Sequence, residues 1–240
     1  MSKLRLAVGI PAYGGQITAH QARMWMEFGN TLGGSSERFT LVAFDFYDVN
    51  GIDQARNQML TRAVEVGADW LLMIDADTWV EPGRADREAQ TDAGFLLLRM
   101  ISEADRAGAE VVVAPVVRRT TADTAERELA VYRYDEAQQG STPHPYTCKC
   151  KACTFHIAAP VVLDELPYGL VEIDSAGAAV FAVRVMSVFD KRISFAFRSP
   201  FSEDREFCRQ VRESGGKILV DTRVRTGHLS RSFPLFTTKE

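Results

Sequence analysis

Four short apolar runs, Leu4 to Ile10, Phe39 to Phe46, Asp69 to Ile74 and Glu110 to Val117, alternate with stretches of helical pattern, and this alternation restricts the fold most. The first helical stretch, Thr18 to Thr31, ends at Gly33-Gly34. Gly51 to Val66 is closed by Gly67, and Arg84 to Ala107 stops at Gly108. Apolar runs of strand length, each separated by a helix, predict a parallel, doubly wound sheet with helices on both faces. Gly14-Gly15, after the first run, reads as a turn.

The alternation breaks after Arg119. Residues 120–165 mix polar turns, a strand candidate at Tyr132 to Tyr134 and a cysteine-rich patch, and read as an insertion lying over the sheet. Order resumes with Gly169 to Asp174 and Gly177 to Val188. Ser202 to Ser214 reads as a helix with Ser202 as its N-cap and Gly215-Gly216 as its C-cap, followed by a strand at Lys217 to Val220. The tail from Ser230 reads as a loosely held lid or arm. The expectation is a single domain over residues 1–240.

Composition narrows the function classes. Apolar residues make up 46% of the 240 and charged residues 25%, enough for a full core. The net charge of −4 gives no global field for holding nucleic acid, which therefore enters only as an acceptor of a reaction. No run of about 18 apolar residues occurs, so no membrane span is expected. The apolar stretch that stops at Pro11 is too short for a signal peptide, and a cytoplasmic protein is expected.

The chemistry gathers at Asp75-Ala76-Asp77, directly after the third apolar run. In open α/β sheets, ligands bind beyond the carboxyl ends of the strands. Two carboxylates one residue apart in a sharp turn offer hard oxygen ligands to a divalent cation, which shares its shell with substrate phosphates. The segment Asp69-Trp-Leu-Leu-Met-Ile-Asp-Ala-Asp77 resembles the donor-binding strand and Asp-x-Asp signature of GT-A-fold glycosyltransferases, above all of the large family 2. That resemblance implies a Rossmann-like α/β/α sandwich with a mostly parallel central sheet. It also implies transfer of a sugar from a UDP- or GDP-sugar to an acceptor hydroxyl. By position, Asp75 and Ala76 would touch the nucleotide, and Asp77 would bind Mn²⁺ or Mg²⁺.

Further segments resemble the same family. Val8-Gly-Ile-Pro-Ala-Tyr13 is similar to its first strand, which would place Pro11, Ala12 and Tyr13 at the nucleotide base, with Tyr13 stacking on it. Asp45 resembles the acid that reads the base. Asp53-Gln-Ala-Arg-Asn57 opens the second helix, and an arginine in the first turns of a helix is an anion site. The resemblance turns Arg56 toward the donor diphosphate. Phe201-Ser-Glu-Asp-Arg-Glu-Phe-Cys208 resembles the family's Glu-Asp helix, making Asp204 the general base with Glu203 beside it. Asp221-Thr-Arg-Val-Arg-Thr-Gly-His228 ends on a histidine where several such enzymes place a metal ligand. Gly177 and Ala178 fall in a segment similar to the acceptor side. The Gln-x-x-Arg-Trp signature of processive synthases is missing, so a single-transfer enzyme is expected. The resemblance implies a hexosyltransferase-like, inverting enzyme, although retaining relatives on this fold share many of these features and the stereochemistry stays open.

Two other readings compete. A nucleotidyltransferase uses a similar sheet with acids on a metal, but its glycine-rich loop is basic, and Gly14-Gly15 has no basic neighbour until Arg23. A non-catalytic binding module pinned by zinc is the other. Cys148, Cys150, Cys153 and His156 supply four thiolate and imidazole ligands for a structural Zn²⁺, with His144 nearby.

Overall fold

Strand β3 (Trp70–Ile74) is buried at all five positions, so both faces of the sheet it belongs to must be covered. The computed structural model describes residues 3–34, 37–80, 92–116, 128–134, 158–162, 166–198, 202–229 and 234–236. Strand β1 (Leu4–Pro11) lies between β2 (Phe39–Tyr47) and β3 and is parallel to both. The register sets Gly9 against Asp45 on one side and Met73 on the other, so the three strands end at one rim.

Beyond β3 comes β10 (Val180–Arg184), antiparallel to β3 and to β5 (Val111–Val113). The sheet continues through β11 (Ile218–Asp221), parallel to β5, to β8 (Leu170–Glu172), antiparallel to β11. The order is β2-β1-β3-β10-β5-β11-β8, and only β10 and β8 run against the other strands. The mostly parallel α/β sheet expected from the alternation is therefore present, with β10 reversed at its centre.

Alternate side chains of each strand divide the core in two. Leu6, Val8, Ile10, Trp70, Leu72 and Ile74 face α1 (Ala19–Gly34) and α3 (Ala93–Arg106), through Met24, Phe28, Leu97 and Met100. Ala7, Leu71, Met73, Phe181 and Val220 face α2 (Ile52–Glu65), α4 (Val185–Phe189) and α5 (Glu203–Glu213), through Met59, Val188 and Phe207. Helices α1 and α3 cross closely at Gly94, where a Cβ would stand 2.6 Å from the Phe28 Cα.

Several boundaries depart from the sequence reading. Helix α1 includes Gly33 and Gly34, because its backbone bonds outlast its apolar stripe. Within the described residues α3 begins at Ala93, where the Asp92 side chain accepts from Phe95 N at 2.7 Å and caps it. Ser202 precedes α5 but makes no side-chain cap bond; its Oγ donates to Asp204 instead. In the tail, β13 (Pro234–Phe236) pairs antiparallel with β12 (Thr226–Leu229), which pairs with β4 (Thr78–Val80). A second small sheet joins β6 (Glu128–Tyr134) to β7 (Ala158–Val162) and β9 (Ser175–Ala176). The proposed zinc ligands Cys148, Cys150, Cys153 and His156 lie outside the described residues. Among the described residues no helix is long and apolar enough to cross a membrane.

Candidate active site

The rim formed by β1 and β3 opens into a cleft of about 550 Å³. It is lined by Pro11, Tyr13 and Thr18 from the end of β1 and the segment after it, and by Asp75, Ala76 and Asp77 from the turn after β3. The chain leaves β1 through a 3₁₀ turn over Tyr13–Gly15, where Gly14 and Gly15 hold φ of 74° and 66°, values that suit glycine. Asp48, just past β2, accepts from Gly14 N at 2.8 Å and fixes this turn. Tyr13 stands 77% exposed at the mouth of the cleft, whereas Ala12 is fully buried and lines no wall.

The acid turn is closed by Thr78 N donating to the Asp75 carbonyl at 2.9 Å, and Asp75 N donates to the Ala179 carbonyl at 3.0 Å. Asp77 Oδ1 accepts from Thr78 Oγ1 at 3.4 Å. The pairing of β12 with β4 sets His228 opposite Thr78, the residue after Asp77. That register depends on Gly227, since a Cβ there would stand 2.3 Å from the buried Trp79 ring. Gly227→Ala is expected to destabilise the fold by about 1–3 kcal/mol through overpacking. Chemical denaturation of the variant checks this, and an unchanged midpoint would refute it.

Beneath the acid turn lies a buried ion network. Arg56 is 2% exposed. Its Nη2 donates to Asp75 Oδ1 at 2.8 Å and to the Ala178 carbonyl at 3.2 Å, while Nη1 donates to Glu203 Oε1. The expectation that Arg56 faces a donor diphosphate is therefore corrected: its fork is turned inward onto protein carboxylates. Burial alone would lower the guanidinium pKa, but Asp75, Glu203 and Asp204 together hold it above its usual value. Asp75 is raised, first by burial and then by Asp77 and Asp204, with Arg56 opposing. Glu203, 6% exposed, is raised by burial and by the Asp204 charge, again against Arg56.

Asp204 sits in the first turn of α5. Its Oδ1 accepts from Arg205 N at 2.7 Å and from Ser202 Oγ, and its Oδ2 lies 3.3 Å from Ala178 N. Ala178 is 2% exposed, so its backbone bridges Arg56 and Asp204 rather than presenting a surface to an acceptor. Asp45 is brought to the same rim by its register with Gly9, but its carboxylate is half-exposed and 3.7 Å from Arg62 of α2.

The paired carboxylates Asp75 and Asp77, beside an open cleft, are oxygen ligands of the type a divalent cation takes. Among the described residues no group of three or more His, Cys, Asp or Glu side chains converges on one point. Sequence reasoning overlooked Gln21. It lies on the apolar stripe Gln21, Met24, Trp25 and Phe28 of α1, and a polar residue at a buried stripe position was the available signal.

No protein-family model matches the chain, and no curated protein matches it. Among solved structures it is similar to A197 from STIV, with a TM-score of 0.51 and 12% identity over 99% of this chain and 96% of that one. GalNAc-T7 crystallised with UDP, GalNAc and Mn²⁺ aligns at a TM-score of 0.49 and 11% identity, over 95% of this chain and 44% of that one. TarS 1-349 of S. aureus aligns at 0.47 and 11% identity, over 91% of this chain and 58% of that one. This chain therefore spans less than two thirds of those two proteins, but nearly all of A197. The likeness to A197 is one of fold, and the fold is the mixed α/β kind, with a mostly parallel central sheet, that the GT-A resemblance implies.

Proposed function

We propose that this chain transfers a sugar from a nucleoside-diphosphate sugar, UDP- or GDP-linked, to an acceptor hydroxyl, with Mn²⁺ or Mg²⁺ held at the acid turn. The observation that carries the reading is the cleft itself. It brings an exposed aromatic ring, Tyr13, and the paired carboxylates Asp75 and Asp77 to one cleft at the carboxyl ends of two parallel strands. In this reading Pro11 and Tyr13 border the base, Asp75 meets the ribose side, and Asp77 with His228 holds the cation. A divalent cation there supplies positive charge to the departing diphosphate.

The protein groups do the rest. Asp204 takes the proton of the acceptor hydroxyl as its oxygen bonds to the anomeric carbon and the bond to the diphosphate breaks. A single displacement of this kind inverts the anomeric centre. Arg56 and Glu203 act from below by fixing Asp75 and the Ala178 backbone, a positioning role in place of direct phosphate contact.

Thermal melting with UDP- and GDP-sugars, each with and without Mn²⁺, tests the reading. A donor at one hundred times its Kd stabilises the native state by about 2.7 kcal/mol. One donor class is expected to raise the melting temperature only with the metal present, and Asp77→Ala is expected to abolish the rise. No metal-dependent rise with any donor would overturn the proposal.

A further inference from the structure

The first turns of α1 hold both ends of the segment from Asp75 to Val80. His20 stacks on Trp79 with ring centroids 4.6 Å apart, and Val80 N lies 3.1 Å from Met24 Sδ. One contact reaches the acid turn itself: Gln21 Nε2 donates to the Asp75 carbonyl at 2.8 Å. The same carbonyl accepts the Thr78 N bond that closes the turn. We infer that Gln21 is a positioning residue that sets the Asp75–Asp77 turn for its ligand, an inference that rests on the metal and nucleotide reading above.

Two observations separate this role from plain packing. Gln21 is fully buried, yet among the described residues its Oε1 has no hydrogen-bond partner. A buried amide with an orphaned acceptor destabilises a core that methionine would fill without penalty. Its remaining bond therefore has to account for the residue. The bond also ties the acid turn to the start of α1. Thr18 Oγ1 accepts from Gln21 N at 3.0 Å, and Thr18 and Asp75 both line the cleft. Gln21 therefore links the turn that carries the carboxylates to the helix start that borders the same cleft.

Gln21→Met preserves volume and helix propensity and removes only the amide. The test titrates full-length wild type and Q21M with Mn²⁺ in the presence of UDP, alongside thermal melting and amide exchange of the metal-free proteins. Loss of one hydrogen bond is expected to weaken Mn²⁺–UDP binding by about three- to tenfold, with the melting temperature kept or raised. Exchange at Thr78 N should quicken while the rest of β3 and α1 stays protected. Equal binding by the two proteins would overturn the inference, and so would a Q21M protein that has lost its cooperative melt, which would make the residue a folding element. If wild type itself binds no Mn²⁺ with UDP, the functional reading fails. The exchange at Thr78 then decides separately whether Gln21 holds the turn, and unchanged exchange would remove that claim as well.

Discussion

Replacing Arg56 by methionine is expected to lower stability by about 3–5 kcal/mol, the range seen when one partner is removed from a buried ion pair. For a chain of this size that is a fall of roughly 6–20 °C in melting temperature. The reason is geometric. Arg56 and Glu203 are both buried, and Asp75 is drawn to the same guanidinium, so the variant leaves two carboxylates facing each other without a counter-charge. Arg56→Lys should recover only part of the loss, because an ammonium is a point donor and cannot fork between Asp75, Glu203 and the Ala178 carbonyl. Arg56→Met combined with Glu203→Gln should recover part of it as well, by removing one of the stranded charges. A single variant that melts with the wild-type protein would show that the network is not what holds α2, α5 and the acid turn together.

Asp204→Asn is expected to slow transfer by about 10²–10⁴-fold, the range for removal of a general base, while leaving metal-dependent donor binding in place. The asparagine keeps an oxygen for Arg205 N and Ser202 Oγ, so the turn that carries it should survive. Steady-state transfer measured beside donor binding separates this from Asp77→Ala, which should lose the binding itself. A wild-type rate in the Asp204→Asn protein would remove it from the chemistry and leave the proton to another acceptor.

Much of this arrangement is legible in the chain, because the signals involved are local. Trp70 to Ile74 is apolar at every position and can only be an inner strand, and the acids that follow must then sit at its end. The runs behind β1 and β2 are as plain. What the sequence could not disclose depends on distant partners. Gly177 to Val188 reads as one apolar stretch, but nothing local says that its strand enters the sheet reversed between β3 and β5. Arg56 has the local form of an anion site at a helix start, and its real partner Glu203 lies 147 residues away along the chain. β4 is three residues long, too short for any periodicity, and its pairing with β12 emerges only once Trp79 is seen against Gly227. Gln21 left a trace, a polar side chain on an apolar stripe, whose meaning needed the Asp75 carbonyl above it.

The reversed central strand also dictates an order of events during synthesis. Until residues 180–184 have left the ribosome, β3 and β5 both have an unpaired edge, and Asp75 N has no Ala179 carbonyl to bond. The first three quarters of the polypeptide can therefore condense only into an open, sticky half-sheet, and the acids of the cleft find their places late. Fragments ending before β10 should aggregate, whatever their helices do.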